Sequence, residues 1–282
     1  MSSIITNNSA MVALQTLKSI NSNLADTQSA ISTGKDVNSA KDNASVWSIS
    51  KVMESDVSGL DAVKDSLATG QSAIAVASAG AELIVETIKE MQALAVSAQS
   101  EGANFAQINT EMTAKKEQLD SIVAGSQFNG GNLLNTDVDG AGAGTTSMTV
   151  VGSINRVGAA AATATTIAVP SANLEATVTG ITLTGTATTA DASDTYDELT
   201  TMLTAAISGA ASLGTSAKRL DDQSNFVSKL SDSLTSGIGA LVDADMEAAS
   251  AKLQALQTQQ QLGVQALSIA NQAPQSILSL FR

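Results

Sequence analysis

Apolar residues recur along two long stretches of this chain at alternating spacings of three and four. From Val46 the series runs through Ile49, Met53, Asp56, Leu60, Val63, Leu67, Gly70, Ile74, Ala77, Ala81, Ile84, Ile88, Met91 and Ala95, and only Asp56 and Gly70 interrupt it. That alternation is the seam of a helix packed lengthwise against neighbours. It predicts a helix of about 50 residues, roughly 75 Å long at about 1.5 Å per residue. A second seam starts at Leu199 and continues through Leu203, Ala206, Ala210, Leu213, Ala217, Leu220, Ser224, Val227, Ser231, Leu234 and Ile238 to Leu241. After Leu241 the register slips by one residue, and a new series runs Val242, Met246, Ala249, Leu253, Leu256, Gln260, Gly263, Leu267, Ala270. A slipped register means that the two halves face different partners, so a boundary is expected at Asp243-Ala-Asp245.

The N-terminal stretch mirrors this arrangement. Leu14, Leu17, Leu24 and Ile31 fall on one helical face, with Asn21 and Gln28 between them. Gly34 stands where a glycine would end that helix, and a polar run containing Asn38 and Asp42 follows. A shorter helix is expected from about Gln107 to Ala124, ending in the turn residues Asn129-Gly130-Gly131-Asn132.

Between the helical regions lies a segment of different character. From Gly140 to Ala190 the only charged residues are Arg156 and Glu175, and Thr, Ala, Gly and Val dominate. Partial alternation predicts short strands at 147–151, 165–169 and 176–184, the last with a bulge or turn at Gly180. The expected fold is therefore mainly α: a long antiparallel helical hairpin or bundle forming a rod from both chain ends, with a small β-rich outer insertion. Both termini are expected at one end of the rod and the insertion at the other. The expected divisions are 1–36 with 242–282, 37–135 with 196–241, and 136–195.

Composition narrows the chemistry. The chain has 282 residues, with no Cys, no His and a formal charge of -13. No disulfide, Cys/His zinc site, thiol nucleophile or Ser-His relay is available. The acidic balance argues against nucleic acid, which calls for a basic footprint. No run approaches the roughly 18 uninterrupted apolar residues of a membrane span, and no basic-headed secretory signal opens the chain. No catalytic residue, cofactor site or metal site is expected; the acid pair Asp221 and Asp222 reads as part of a charged helix face. Aromatics are only 2% of residues, which suits close-packed rods of Ala, Leu, Ile and Val. Trp47 is the exception and is expected to anchor packing at the foot of the first long helix. The terminal segments carry few large apolar groups, and residues 254–275 are Gln-rich, so their helices are expected to order only on assembly.

Five stretches in register resemble the bacterial flagellins. They are Ile4-Ile-Thr-Asn-Asn8 with Leu14 and Leu17; Ile31-Ser-Thr-Gly-Lys-Asp-Val-Asn-Ser-Ala-Lys-Asp-Asn-Ala44; Phe128-Asn-Gly-Gly-Asn-Leu-Leu134; Asp243-Ala-Asp245; and the C-terminal run through Ile277, Leu278 and Leu280 to Arg282. The resemblance implies a structural subunit that polymerises with many copies of itself into the flagellar filament. It implies assembly helices bearing Leu14, Leu17, Leu24, Ile31, Leu253, Leu256, Leu267, Ile277, Leu278 and Leu280. A hinge at Gly34, Asn38, Asp42, Asp243 and Asp245 and a turn at Phe128, Asn129 and Gly130 are implied as well. Further implied are unfolded passage through a flagellar type III export apparatus, an export chaperone, hook-associated and cap proteins as partners, and an extracellular location without membrane insertion. A flagellar hook-filament junction protein is the alternative reading. One departure stands out: Glu90 occupies the position where many enteric flagellins carry an Arg read by vertebrate innate immune receptors, and reversed charge there predicts weak or no recognition.

Overall fold

A seam stays buried only if partners cover it, and from Leu60 to Ala95 every predicted seam position is buried. The helix that carries them, α2, spans Ala44–Ala98. The computed structural model describes residues 7–140, 142, 144–156, 162–180 and 188–279, with side chains described as far as Gln272. It comprises α1 (Asn8–Thr33), α2, α3 (Phe105–Gly125), β1 (Ser147–Asn155), β2 (Thr163–Pro170), α4 (Leu174–Thr179), α5 (Thr189–Val242) and α6 (Met246–Ser279). Contacts divide the chain into two compact units, Met1–Ser55 with Ser233–Arg282, and Asp56–Asp232. Helix α5 begins at Thr189, earlier than the expected start at 196, so it takes in the end of the segment assigned to the insertion.

In the second unit α2 and α5 run antiparallel. Gln92 Nε2 donates to Thr200 Oγ1 at 3.0 Å, while Gly70 lies beside Leu220. Gly70 is a seam position without a side chain because two side chains converge on it: a Cβ there would stand 2.7 Å from Val150 Cγ2 and 3.1 Å from Leu220 Cδ1. On α5, Leu199, Ala206, Leu213, Leu220 and Val227 are fully buried, and Leu203, Ala210, Ala217 and Ser224 flank them half-buried. Helix α2 contains an 18-residue window of mean hydropathy 1.2, long and apolar enough by composition to cross a membrane. Its seam from Leu60 to Ala95 is buried against elements of its own chain.

Strands β1 and β2 pair antiparallel, with a bulge between Val151 and Ser153 at Gly152. They do not stand beyond the helices. The Val151 amide donates to Ser66 Oγ at 3.1 Å, Gln223 Nε2 donates to the Gly152 carbonyl at 2.9 Å, and Arg156 pairs with Asp56 at 2.8 Å. The hairpin therefore lies along α2 and α5, correcting the expectation that the insertion sits at one end of the helices. The third expected strand is also corrected: residues 174–179 form α4, which buries Leu174 and Val178 one helical turn apart. Its threonines turn their hydroxyls back to the helix, Thr179 Oγ1 donating to the Glu175 carbonyl at 2.8 Å. Residues 181–184 of that expected strand lie outside the described residues.

Candidate assembly surface

In the first unit α1 and α6 pack along their lengths. Helix α1 is capped by Asn7, whose Oδ1 accepts from the Ala10 amide at 3.1 Å, and whose Nδ2 donates to the Ala270 carbonyl at 2.7 Å. One side chain thus starts α1 and ties it to α6. Along the pair, Gln260 Nε2 donates to Asn21 Oδ1 at 2.7 Å, and Leu17 and Ile20 close over Gly263.

The face of α1 turned inward is Ala13, Leu17, Ile20, Leu24, Thr27 and Ile31, of which Ile20 and Thr27 are buried. It shares Leu17, Leu24 and Ile31 with the expected face. Leu14 lies outside this contact and is 53% exposed. Thr27 can be buried because its hydroxyl donates to the Asn23 carbonyl at 2.8 Å. On α6, Leu256 is buried while Leu253 and Leu267 are half-buried. The side chains of Ile277 and Leu278, and the whole of Leu280, lie outside the described residues. The outward surfaces carry an unusual apolar load. Met11, Val12 and Leu14 on α1 are exposed, as are Leu262, Val264 and Ile269 on α6, the last at 69%.

The five expected hinge residues come together. Gly34 takes the left-handed conformation at φ 71 and closes α1, its amide donating to the Ala30 carbonyl at 2.9 Å. A non-glycine residue would be strained there. The Gly34 carbonyl accepts from the Ala244 amide at 2.9 Å, and the Val242 carbonyl accepts from the Asp36 amide at 2.7 Å. These bonds tie the end of α1 to the α5–α6 junction. Asp245 caps α6, its Oδ1 accepting from the Glu247 and Ala248 amides at 3.0 and 3.1 Å. Asp42 Oδ2 gathers the Asn38 amide, the Ser39 amide and the Ser39 hydroxyl, at 3.2, 2.9 and 3.0 Å. The Ser39 amide foremost, then its hydroxyl, holds the Asp42 carboxyl below the usual carboxylate range. The hydrogen bond from Lys51 does the same for Glu54, which also meets Lys35 at 3.7 Å. A cleft of about 810 Å³ opens here, lined by Asn38, Asp42, Asp243 and Asp245 among others. Its charges are mixed, with Lys35, Lys41 and Lys252 lining it beside these acids. Trp47 is half-buried rather than enclosed.

The turn residues belong to the second unit. The Phe128 amide donates to the Gly131 carbonyl at 2.8 Å and the Gly131 amide returns the bond at 3.0 Å. Asn129 and Gly130 between them both have positive φ, 50 and 85. This is the tight turn for which Asn-Gly is favoured. Asn132 beyond it is buried, its Nδ2 donating to the Val123 carbonyl at 2.7 Å and its Oδ1 accepting from the Leu134 amide at 2.9 Å. Glu90 is half-exposed and pairs with Lys115 of α3 at 2.5 Å, so its charge helps hold α3 on α2. Sequence reasoning missed Lys115 as that partner, along with Asn7, Ile20 and Thr27.

Comparison with known proteins follows the same outline. Residues 4–139 match the bacterial flagellin N-terminal helical region, and residues 194–281 match the bacterial flagellin C-terminal helical region. Flagellin FljK of Caulobacter vibrioides is 42% identical over 286 residues, covering 100% of this chain and 99% of that protein. A flagellin of Brucella melitensis is 41% identical over 288 residues, covering both chains fully. In fold, the chain is similar to a flagellar hook-associated protein of Vibrio parahaemolyticus, with a TM-score of 0.53 and 12% identity over 72% of this chain and 100% of that one.

Proposed function

The chain belongs to the bacterial flagellins, and on that premise we propose how this structural subunit of the flagellar filament joins its neighbours. The segments 1–36 and 242–282 polymerise as paired helices, 37–135 with 196–241 pack beside those of the next subunits, and the insertion, 136–188, turns to solvent the side not packed on α2 and α5. The observation that carries this reading is the apolar surface left outside the α1–α6 pair. Met11, Val12, Leu14, Leu262, Val264 and Ile269 all stand in water in a single chain. At about 25 cal/mol per Å² of apolar surface removed from water, neighbouring copies covering these residues would gain much of their association energy. The subunit works outside the cell. It reaches that place unfolded, through flagellar type III export, with a chaperone on the C-terminal helix beforehand and hook-associated and cap proteins at the filament's ends. A chain without Cys carries no cross-link to obstruct threading.

Leu14→Asp tests the surface directly. An exposed aspartate in place of an exposed leucine leaves the single chain folded, so helical circular dichroism stays at the wild-type level. Seeded polymerisation, followed by light scattering, falls at least tenfold, because each buried charge would lack a partner. Polymerisation at the wild-type rate would count against the reading. Glu90 bears on a second proposal. Carrying a negative charge already paired with Lys115, it repels the acidic groups that would receive an Arg, and receptor signalling by this flagellin is weak or absent. A reporter-cell assay giving robust signalling would refute that proposal.

A further inference from the structure

The turn after α3 holds an asparagine followed directly by a glycine, Asn129 and Gly130. Asn129 and Gly130 are both exposed. The two closing hydrogen bonds of the turn belong to Phe128 and Gly131. Among the described hydrogen bonds, neither the Gly130 N–H nor the Asn129 carboxamide has a partner. Glycine puts no side chain in front of its own nitrogen, and this is the chain's single Asn-Gly pair. We propose that Asn129 is a spontaneous modification site, whose carboxamide converts through a cyclic imide into aspartyl and isoaspartyl linkages.

The step balances without an added cofactor. Gly130 nitrogen gives its proton to water or hydroxide and bonds to Asn129 Cγ. The Cγ–Nδ2 bond breaks, and the nitrogen leaves as ammonia after taking up a proton. Water then opens the five-membered imide at either carbonyl, giving an ordinary aspartyl link or one that runs through the side chain. No oxidation or reduction occurs, and the chain gains one negative charge. Closing the ring takes residue 129 out of the left-handed conformation, so the turn opens first; only the Phe128–Gly131 pair must part. The isoaspartyl product adds a methylene to the main chain between positions 129 and 130, and that pair cannot re-form with the same geometry. Beyond it, Asn132 ties this segment to α3 through the Val123 carbonyl, so the reaction loosens that attachment irreversibly. Asn132 itself is protected: it is buried, its amide is engaged, and Leu133 follows it. The proposal rests on the turn and stands independently of how the filament is built.

The test incubates the purified full chain in mildly alkaline buffer and follows the tryptic peptide 117–156 by tandem mass spectrometry. Isoaspartyl residues are labelled in parallel with isoaspartyl methyltransferase. Position 129 is expected to show the mass change of NH₂ replaced by OH before any other asparagine converts. Asn129→Gln, checked for unchanged helical signal, is expected to remove most of the methyl label. Retention of the amide at position 129, or an undiminished label in Asn129→Gln, overturns the proposal.

Discussion

Single residues set the conditions under which the hinge holds. Asp42 accepts three hydrogen bonds from Asn38 and Ser39, and these favour its charged form. Its folded pKa lies below the ordinary aspartate value, and that of Glu54 lies below the ordinary glutamate value. Each therefore adds stability that is present above the unfolded pKa and disappears as pH falls through the lowered folded one. Carboxyl NMR titration of the full chain should find Asp42 titrating below a model aspartate, with the Ser39 amide shift following the same curve. In Asp42→Asn that amide should stop responding over this range. Titration of Asp42 at or above the ordinary value would show that the Ser39 bonds are not formed in solution. The sequence marked Gly34 as a helix end and placed Asp42 in the polar run after it, and only the resemblance made them a hinge. Nothing in a one-dimensional pattern reveals that the Gly34 carbonyl meets the Ala244 amide across the chain.

At the scale of elements, legibility followed side-chain size. The α2 seam from Leu60 to Ala95 was readable because large apolar groups recur on one face and all of them are covered. Helix α1 offered two overlapping series that share Leu17, Leu24 and Ile31. The inward face completes its series with Ala13, Ile20 and a threonine that satisfies its own hydroxyl, and leaves Leu14 outward. Helix α4 was misread as a strand. Alternating Thr and Val suggested a strand, whereas the spacing of Leu174 and Val178 was the helical signal. Helix α1 buries only Ile20 and Thr27, and isolated helices with so little cover are marginal in water. Amide hydrogen exchange on a dilute monomer should therefore show fast exchange across α1 and α6. Protection should appear when the same chain is sedimented as filament. Strong protection at Leu17 and Leu256 in the dilute monomer would refute ordering on assembly.

For the whole molecule, composition first served to exclude chemistry and then fitted the family. A chain with no His, no Cys and 2% aromatics builds its core from aliphatic side chains and alanines, and Gly70 shows how closely its elements approach. The family was legible from motifs at both ends of the chain. The hairpin's course along α2 was not, since Ser66, Gln223 and Asp56 give no sign in sequence that they receive β1 and its flank. The central claim is that the paired terminal segments drive polymerisation. Electron microscopy of purified protein, seeded with filament fragments, with and without residues 242–282, tests it most directly. The full chain is expected to grow long filaments and the shortened chain none. Filaments forming equally well without that segment would contradict the account.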